Sequence, residues 1–258
     1  MKYSGLYFIT NPSTNVDAAL STVSSLTQGI ETSFQSATRQ PPWTLFYRAF
    51  RDTIPPGYQA PAGAEGKPQA YAHSYQHLLH LSSLAATRTY VYAQPVGQPA
   101  TITSIPLRQQ DAHASVLRHQ SSALWTQRHV LSVREGTTYS GGLCTIQIGE
   151  VRATREGPQS GAVSSPGVVL CITTVVGADD AETVTENGAG MQGDGEELDT
   201  EYAQAVIREC WNKIKEGKDL GRAEVREAMM VAPAPEATRE QQREAAVRMW
   251  CDGLRMRG

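Results

Sequence analysis

The sequence has no long apolar run and no excess of basic residues. Nowhere does it reach the roughly eighteen consecutive apolar residues that a membrane-spanning helix needs, and the opening stretch MKYSGLYFIT has no run of signal-peptide length. Lysine and arginine number 23 against 26 aspartate and glutamate, for a formal net charge of −3. With no basic surplus to hold a phosphate backbone, we expect no direct sequence-specific binding of nucleic acid, no membrane span and no secretion.

Cysteine is sparse, and the spacing of the cysteines matches neither a disulfide scaffold nor a zinc site. The four cysteines, Cys144, Cys171, Cys210 and Cys251, are each isolated in the sequence. A disulfide scaffold or a zinc site needs clustered or regularly spaced cysteines, so we predict buried thiols in a protein of a reducing compartment.

Motifs for covalent catalysis or cofactor binding are also missing. The chain has no G-x-S-x-G elbow for a nucleophilic serine. Gly188, Gly190 and Gly193 have the spacing of the dinucleotide fingerprint, but they lie far from the preceding apolar strand and among carboxylates that would repel a phosphate. We therefore predict no cofactor and no catalytic residue.

Three histidines raise the question of a metal site. His73, His77 and His80 would share one stripe of a helix, but their neighbours alternate as in a strand. On a strand His77 and His80 point to opposite faces, so we predict that no metal is bound there.

Alternation of apolar and polar residues is the dominant pattern. It is clearest in 129–134 and 143–151, two predicted antiparallel strands with turn residues Glu135, Gly136 and 140–142 between them. In the second strand one face consists of Cys144, Ile146 and Ile148.

The nearly continuous apolar run 168–176 predicts a strand that is covered on both faces. We expect its residues Val168, Leu170 and Ile172 to share one apolar interior with Cys144, Ile146 and Ile148. Further strands are predicted at 3–9, 43–50, 74–81, 89–93 and 101–105. Helices are predicted at 16–34, with Ser13 or Asn15 as cap, in part of 108–124, and at 202–214 with Gly217 as its stop.

Two segments are too polar or too rich in proline for a core. Residues 54–68 hold four prolines and three glycines and are predicted to be an exposed loop. Residues 178–201 contain nine acidic and no basic residues, so we predict a disordered insertion. These patterns favour one domain over 1–217, followed by a charged tail over 218–258.

The tail is predicted to contain an amphipathic helix over 236–256. Its apolar side includes Val247, Trp250, Cys251 and Leu254, and the tail has no obvious core of its own. A helix face without a core of its own fits either a partner contact or a loosely docked flank. For the first of these, Val247, Trp250 and Leu254 are our candidate interface residues.

Several stretches together resemble one protein family. They are MKYSGLYFIT, WTLFYRAFRDT, SYQHLLHLS with TYVYA, SALWTQRHVLSV, GLCTIQIGEVRA, GVVLCITTV and AVIRECWNKI. In this order, over residues 1 to about 217, the chain resembles the fungal form of Mediator of RNA polymerase II transcription subunit 20. The motifs are packing motifs, and the loop 54–68, the acidic insertion and the tail depart from the family.

The resemblance implies a fold and a function. The implied fold is α+β, an antiparallel β-barrel flanked by helices, here with a disordered acidic insertion and a helical C-terminal tail. The implied function is a non-enzymatic, nuclear subunit of the Mediator head module that supports transcription initiation by RNA polymerase II. Implied partners are Mediator subunit 18 as a direct heterodimer, the C-terminal segment of subunit 8, the other head-module subunits, the TATA-binding protein and RNA polymerase II.

One alternative of another class stays open at this point. A barrel could be an enzyme or a small-ligand-binding protein, in which case polar residues would face its lumen. A lumen filled by apolar side chains favours the assembly subunit, whereas several inward carboxylates and arginines favour the enzyme.

Overall fold

The computed structural model describes residues 1–61, 70–154, 163–176, 194–232 and 237–255, which contain nine strands and four α-helices. The strands are β1 (Lys2–Thr10), β2 (Thr38–Asp52), β3 (Tyr75–Leu81), β4 (Arg88–Gln94), β5 (Thr101–Pro106), β6 (Trp125–Gly141), β7 (Cys144–Thr154), β8 (Val163–Val175) and β9 (Val225–Met229). The α-helices are α1 (Val16–Ser33), α2 (Gln110–Ser115), α3 (Asp194–Lys215) and α4 (Arg239–Leu254). Short 3₁₀ and π turns flank α2 at Leu107–Gln109 and Val116–Gln120.

Local chemistry explains where several elements begin and end. Helix α1 starts after Asn15, whose side-chain oxygen accepts the Asp17 N–H at 2.8 Å. Asn15 is therefore the cap, one of the two residues predicted for this role. Helix α3 ends just before Gly217, which has a φ of +66° and supplies the left-handed residue that a helix stop favours.

All nine strands belong to one antiparallel sheet in the order β5-β4-β3-β2-β6-β7-β8-β1-β9. The predicted α+β class, with an antiparallel sheet flanked by helices, is confirmed. The predicted closure into a barrel is supported only loosely: within the described part of the chain, β5 pairs only with β4, and β9 pairs only with β1. The architecture is an open sheet with two ends.

The sheet nevertheless curls strongly. Helix α4 contacts β3 and β4 near one end of the strand order and β1 and β9 at the other, so the sheet must wrap around it. The β2–β6 and β6–β7 ladders carry register shifts near Trp43 and between Ser132 and Thr137. Bulges of this kind bend a strand and increase its twist, which allows the curl.

The predicted turn is correct in one part and wrong in another. Glu135 and Gly136 lie inside the 17-residue strand β6, whereas the chain reverses at Gly142, which belongs to the predicted 140–142, and at Leu143. Gly142 has a φ of +56°, which suits the first position of a tight hairpin turn. At Gly136 a Cβ would lie 2.3 Å from the Trp43 ring, so this glycine makes room for an aromatic ring on the neighbouring strand.

The concave face of the sheet and helix α4 form what we call the inner core. It contains apolar residues from seven strands and one face of α4. Its members include Leu6, Phe8, Trp43, Tyr47, Leu79, Tyr90, Tyr92, Leu131, Val169 and Trp250. The enclosed space is therefore filled mostly by apolar side chains.

The opposite face of β1, β7 and β8, covered by α1 and α3, forms the outer core. The six residues predicted to share one interior, Cys144, Ile146, Ile148, Val168, Leu170 and Ile172, all lie there and are buried. That prediction is confirmed. Strand β8 also sends Val169 and Cys171 into the inner core, so it is covered on both faces as expected.

Beyond residue 217 the chain adds elements to this same sheet and inner core. Strand β9 extends the sheet beside β1, and the predicted tail helix is found as α4. Of the predicted disordered insertion 178–201, residues 178–193 lie outside the described residues. The prediction is wrong for residues 194–201, which are the first turns of α3. Of the predicted loop 54–68, residues 54–61 contain no regular helix or strand and 62–68 are outside the described residues.

Candidate interaction surfaces

The three residues predicted to contact a partner lie in the inner core of their own chain. Val247 and Leu254 are 0% exposed and Trp250 is 2% exposed. The Trp250 ring packs against Trp43 with 5.8 Å between the ring centroids. In this conformation these residues present no surface to a second protein, so their role at an interface remains an untested prediction that would require α4 to leave the sheet.

Helix α4 is positioned by a cap and by a glycine. The Thr238 hydroxyl accepts the Gln241 N–H, and the Gln241 side chain accepts the Thr238 N–H, which together form a capping box. Near the other end, Gly253 lies so close to Leu6 that an added Cβ would come within 2.5 Å of it. The helix therefore approaches β1 closely at this position.

Beside the N-terminal half of α4 the enclosed space opens as a cleft of about 850 Å³. Strands β1, β6, β7 and β8 line it with polar side chains, and α4 lines it with one face. The polar lining residues on the strands are Ser4, Thr138, Thr145, Gln147 and Thr173.

The cleft has cations but no group suited to acid–base chemistry. Lys2, Arg239 and Arg243 line it, while its lining, as far as the chain is described, includes neither a carboxylate nor a histidine. Cys171 lies at its floor, where burial raises the pKa of the thiol to about 12 and keeps it protonated. This arrangement can bind a polar or anionic group but offers no base to activate one.

The three histidines have separate surroundings and do not converge. His73 lies 2.7 Å from the Asp52 carboxylate, and His80 Nδ1 is 2.9 Å from the Arg88 carbonyl oxygen, so its N–H donates there. His77 is fully buried inside the sheet. Among the described residues no group of three or more metal-binding side chains comes together, and Gly188, Gly190 and Gly193 lie outside those residues.

The ion pair of Glu150 and Arg152 is on the outer face of β7. Arg152 Nε donates to Glu150 Oε2 at 3.0 Å, and the Glu150 side chain is only 8% exposed. Both residues alternate with Val151, which belongs to the inner core. The pair therefore faces away from the enclosed space and is only partly exposed to solvent.

Three exposed apolar residues lie beyond the last residues of β2 and β4 and just before the first residue of β6. Ile54 is 54%, Val96 is 51% and Leu124 is 64% exposed. We call these three residues the end patch. Single exposed apolar residues are ordinary on a protein surface, but a group of them is typical of a contact site.

Backbone hydrogen bonds bring the end patch together. The Thr53 N–H donates to the Leu124 carbonyl at 2.9 Å, which places Ile54 beside Leu124. The neighbouring Asp52 N–H donates to the Ser74 carbonyl, and the Val96 N–H donates to the Ser74 hydroxyl. Val96 lies in the turn that leads to β5, so the end patch adjoins the free edge of the sheet.

Fold and surface together define an α+β protein in which one curled antiparallel sheet encloses a helix and leaves a strand edge and an apolar patch open. No described helix has the length and apolar character that would let it cross a bilayer. The model of one family, the TATA-binding related factor (TRF) of subunit 20 of Mediator complex, matches residues 1–245. The chain belongs to this family, Med20, and thereby to a complex that regulates transcription and whose other subunits are its partners.

The family match extends past residue 217 into β9 and the first turns of α4. The resemblance seen in the sequence motifs stopped near residue 217, so the family covers more of the chain than the motifs indicated. Comparison with curated proteins found none that matches the chain.

Proposed function

We propose that this chain is a non-catalytic subunit of the Mediator head module that acts in the nucleus as the direct partner of Mediator subunit 18. The observation that carries this proposal is the family match over residues 1–245 in a chain whose enclosed space is filled by its own helix α4. Trp250 and its apolar neighbours occupy much of that space, and the remaining cleft of about 850 Å³ is lined, as far as the chain is described, by no carboxylate and no histidine. Binding to other subunits is then the function that the geometry favours.

The contact with subunit 18 is proposed to use the end patch and the free edge strand β5. An unpaired strand edge offers a row of free backbone N–H and C=O groups, and an adjoining apolar patch supplies area whose burial stabilises a complex. An obligate interface of this kind would bury about 2,000 Å² or more in total. The C-terminal segment of subunit 8, the TATA-binding protein and RNA polymerase II are then reached within the assembled head module.

Co-expression with subunit 18, followed by size-exclusion chromatography with light scattering, tests the pairing. A stable one-to-one complex is expected. A monomer that melts cooperatively and shows no binding to subunit 18 at micromolar concentration would contradict the proposed function.

Two substitutions test the location of the contact. Leu124→Asp places a charge in the end patch and is expected to weaken the complex about 30-fold or more, the effect of losing a contact worth about 2 kcal/mol. Leu20→Asp is the matched control. Leu20 is 44% exposed and lies on α1, the helix that covers the outer core and does not contribute to the end patch. If both variants bind subunit 18 as the unchanged chain does, the contact lies elsewhere while the pairing itself stands.

The cleft of about 850 Å³ keeps a second candidate function, the binding of a small anionic ligand. Its cations and hydroxyl groups favour binding without catalysis. Thermal unfolding in the presence of inorganic phosphate and of a nucleoside triphosphate tests it, with Arg239→Ala as the variant that should abolish any shift. No shift with either anion would dismiss this candidate.

A further inference from the structure

Two of the four cysteines come close together across the outer core. Cys144 is the first residue of β7, directly after the hairpin turn, and Cys210 lies on α3. Their Sγ atoms are 3.3 Å apart, although the residues are 66 positions apart in the sequence. A disulfide has an S–S length of about 2.05 Å, so the two thiols need an approach of only about 1.2 Å to become bonded.

The other two cysteines differ in both surroundings and neighbours. Cys171 and Cys251 lie in the inner core, where burial raises the pKa of each thiol. Neither has a second sulfur within hydrogen-bonding distance among the described residues. Cys144 and Cys210 are buried in the outer core but are 8% exposed, against 2% for Cys171 and 0% for Cys251.

The environment of the pair also favours a reactive thiolate. The Cys210 S–H can donate to the Cys144 sulfur, and this hydrogen bond lowers the pKa of Cys144 and raises that of Cys210. A thiolate is the nucleophilic form of cysteine, and a second thiol beside it is the arrangement of a resolving pair.

We propose that Cys144 and Cys210 are an oxidation site at which a peroxide produces an intramolecular disulfide between β7 and α3. The Cys144 thiolate attacks one oxygen of hydrogen peroxide, the O–O bond breaks, and Cys144 becomes a sulfenic acid while hydroxide leaves. The Cys210 sulfur then attacks the Cys144 sulfur. The S–S bond forms, the S–O bond breaks, and the departing oxygen leaves as water after taking a proton. In total, two thiols and one hydrogen peroxide give one disulfide and two waters.

The bond would fix helix α3 on the sheet. Cys210 is followed on α3 by Trp211 and Ile214, which pack in the outer core, so the crosslink would reinforce contacts that already exist. A crosslink between residues this distant in sequence restricts the unfolded chain and raises the unfolding temperature when it causes no strain in the folded state. This inference concerns the chain by itself and does not depend on the proposed partner.

The test uses the full chain, treated with hydrogen peroxide and then with an alkylating reagent under denaturing, non-reducing conditions. We expect a loss of two hydrogens from the intact mass, alkylation of only Cys171 and Cys251, and a proteolytic peptide that joins Cys144 to Cys210. The unfolding temperature should rise and return to its starting value after reduction.

Three single variants make the result specific. Cys144→Ser and Cys210→Ser should each abolish the crosslink and the temperature shift, while Cys251→Ala, the control at an isolated buried thiol, should retain both. Because a core substitution can itself destabilise the chain, the joined peptide in the unchanged protein is the primary readout. All four thiols alkylated after peroxide treatment, or Cys144 trapped as a sulfinic acid without the joined peptide, would overturn the proposal.

Discussion

Burial holds His77 in its neutral form, and both nitrogens of its ring have hydrogen-bond partners. Its Nε2 lies 3.0 Å from the Gln94 side-chain oxygen, and its Nδ1 lies 2.9 Å from the Tyr47 hydroxyl. A tautomer with the proton on Nε2 satisfies both, since it donates to Gln94 and accepts from Tyr47. Burial lowers the pKa of His77 to about 4 and raises that of Tyr47, which keeps the tyrosine a donor.

This gives a prediction for stability against pH. The unfolded chain protonates His77 near its ordinary pKa of about 6.5, while the folded chain resists protonation down to about 4. The unfolded state therefore binds the extra proton between these values. The free energy of unfolding should fall by up to about 3 kcal/mol as the pH drops through this window, and the His77 contribution should be fully present above it.

Denaturant unfolding at pH values from about 7.5 to about 4 gives the free energy of unfolding as a function of pH, and the slope of this dependence is compared between variants. His77→Gln should flatten the slope across this window, whereas His119→Gln, at an exposed histidine, should leave it unchanged. Equal slopes for the unchanged chain and His77→Gln would show that His77 is not held neutral.

A second prediction concerns Ile146, which is 2% exposed in the outer core. Ile146→Asp would bury a carboxylate without a partner, so we expect a loss of several kcal/mol, comparable to the whole stability margin of a domain. Leu143→Asp in the same hairpin is the control, because Leu143 is 65% exposed and its replacement should cost within about 0.5 kcal/mol. Thermal melting of both proteins checks it: an Ile146→Asp chain that melts at the unchanged temperature contradicts the assignment of Ile146 to the core.

For single residues, the sequence pattern predicts well which face of a strand a side chain occupies. It predicts poorly which residues of neighbouring strands come into close contact. Ile146, Leu170 and their four companions could be placed together because alternation and burial coincide in a strand that is covered by helices. Gly136 was expected in a turn, since a glycine after a charged residue is a turn signal. Its actual position opposite Trp43 depends on which strand lies alongside, which no local pattern contains.

At the scale of elements, the sequence predicts that residues 236–256 contain a helix, but not the surface against which this helix packs. The apolar stripe of Val247, Trp250 and Leu254 indicates that the helix packs on something. Whether that is the chain's own sheet or another protein depends on contacts between residues far apart in sequence. The same reason explains the sheet edges: each strand could be predicted, whereas closure depends on the summed twist and bulges of nine strands.

Trp250→Ala separates the two roles of α4. If Trp250 belongs to the inner core, its truncation should cost the isolated chain about 3 to 5 kcal/mol, because a large cavity is left against Trp43. Arg239→Ala, at an exposed position of the same helix, should change stability little. An isolated Trp250→Ala chain with unchanged unfolding but lost binding to subunit 18 would instead support the direct partner contact.

At the scale of the whole molecule, charge and apolar surface predict how a complex responds to salt. The chain has a formal net charge of −3, and its end patch consists of Ile54, Val96 and Leu124, three side chains without charge. Some charged residues of the described surface pair locally, as Lys213 does with Glu209 and Arg243 does with Glu240. Pairs of this exposed kind contribute little and are easily screened.

We therefore expect the complex with subunit 18 to depend little on ionic strength. Raising salt from about 0.1 M to about 1 M shortens the Debye length from about 10 Å to about 3 Å, which removes long-range attraction between charges but leaves apolar burial intact or slightly stronger. The dissociation constant, measured by titration calorimetry at both salt concentrations, should change by less than about threefold, a free-energy change below about 0.7 kcal/mol. A complex that weakens tenfold or more would mean that charged groups dominate the contact. The cleft cations Lys2, Arg239 and Arg243 would then be a better candidate for the contact surface than the end patch.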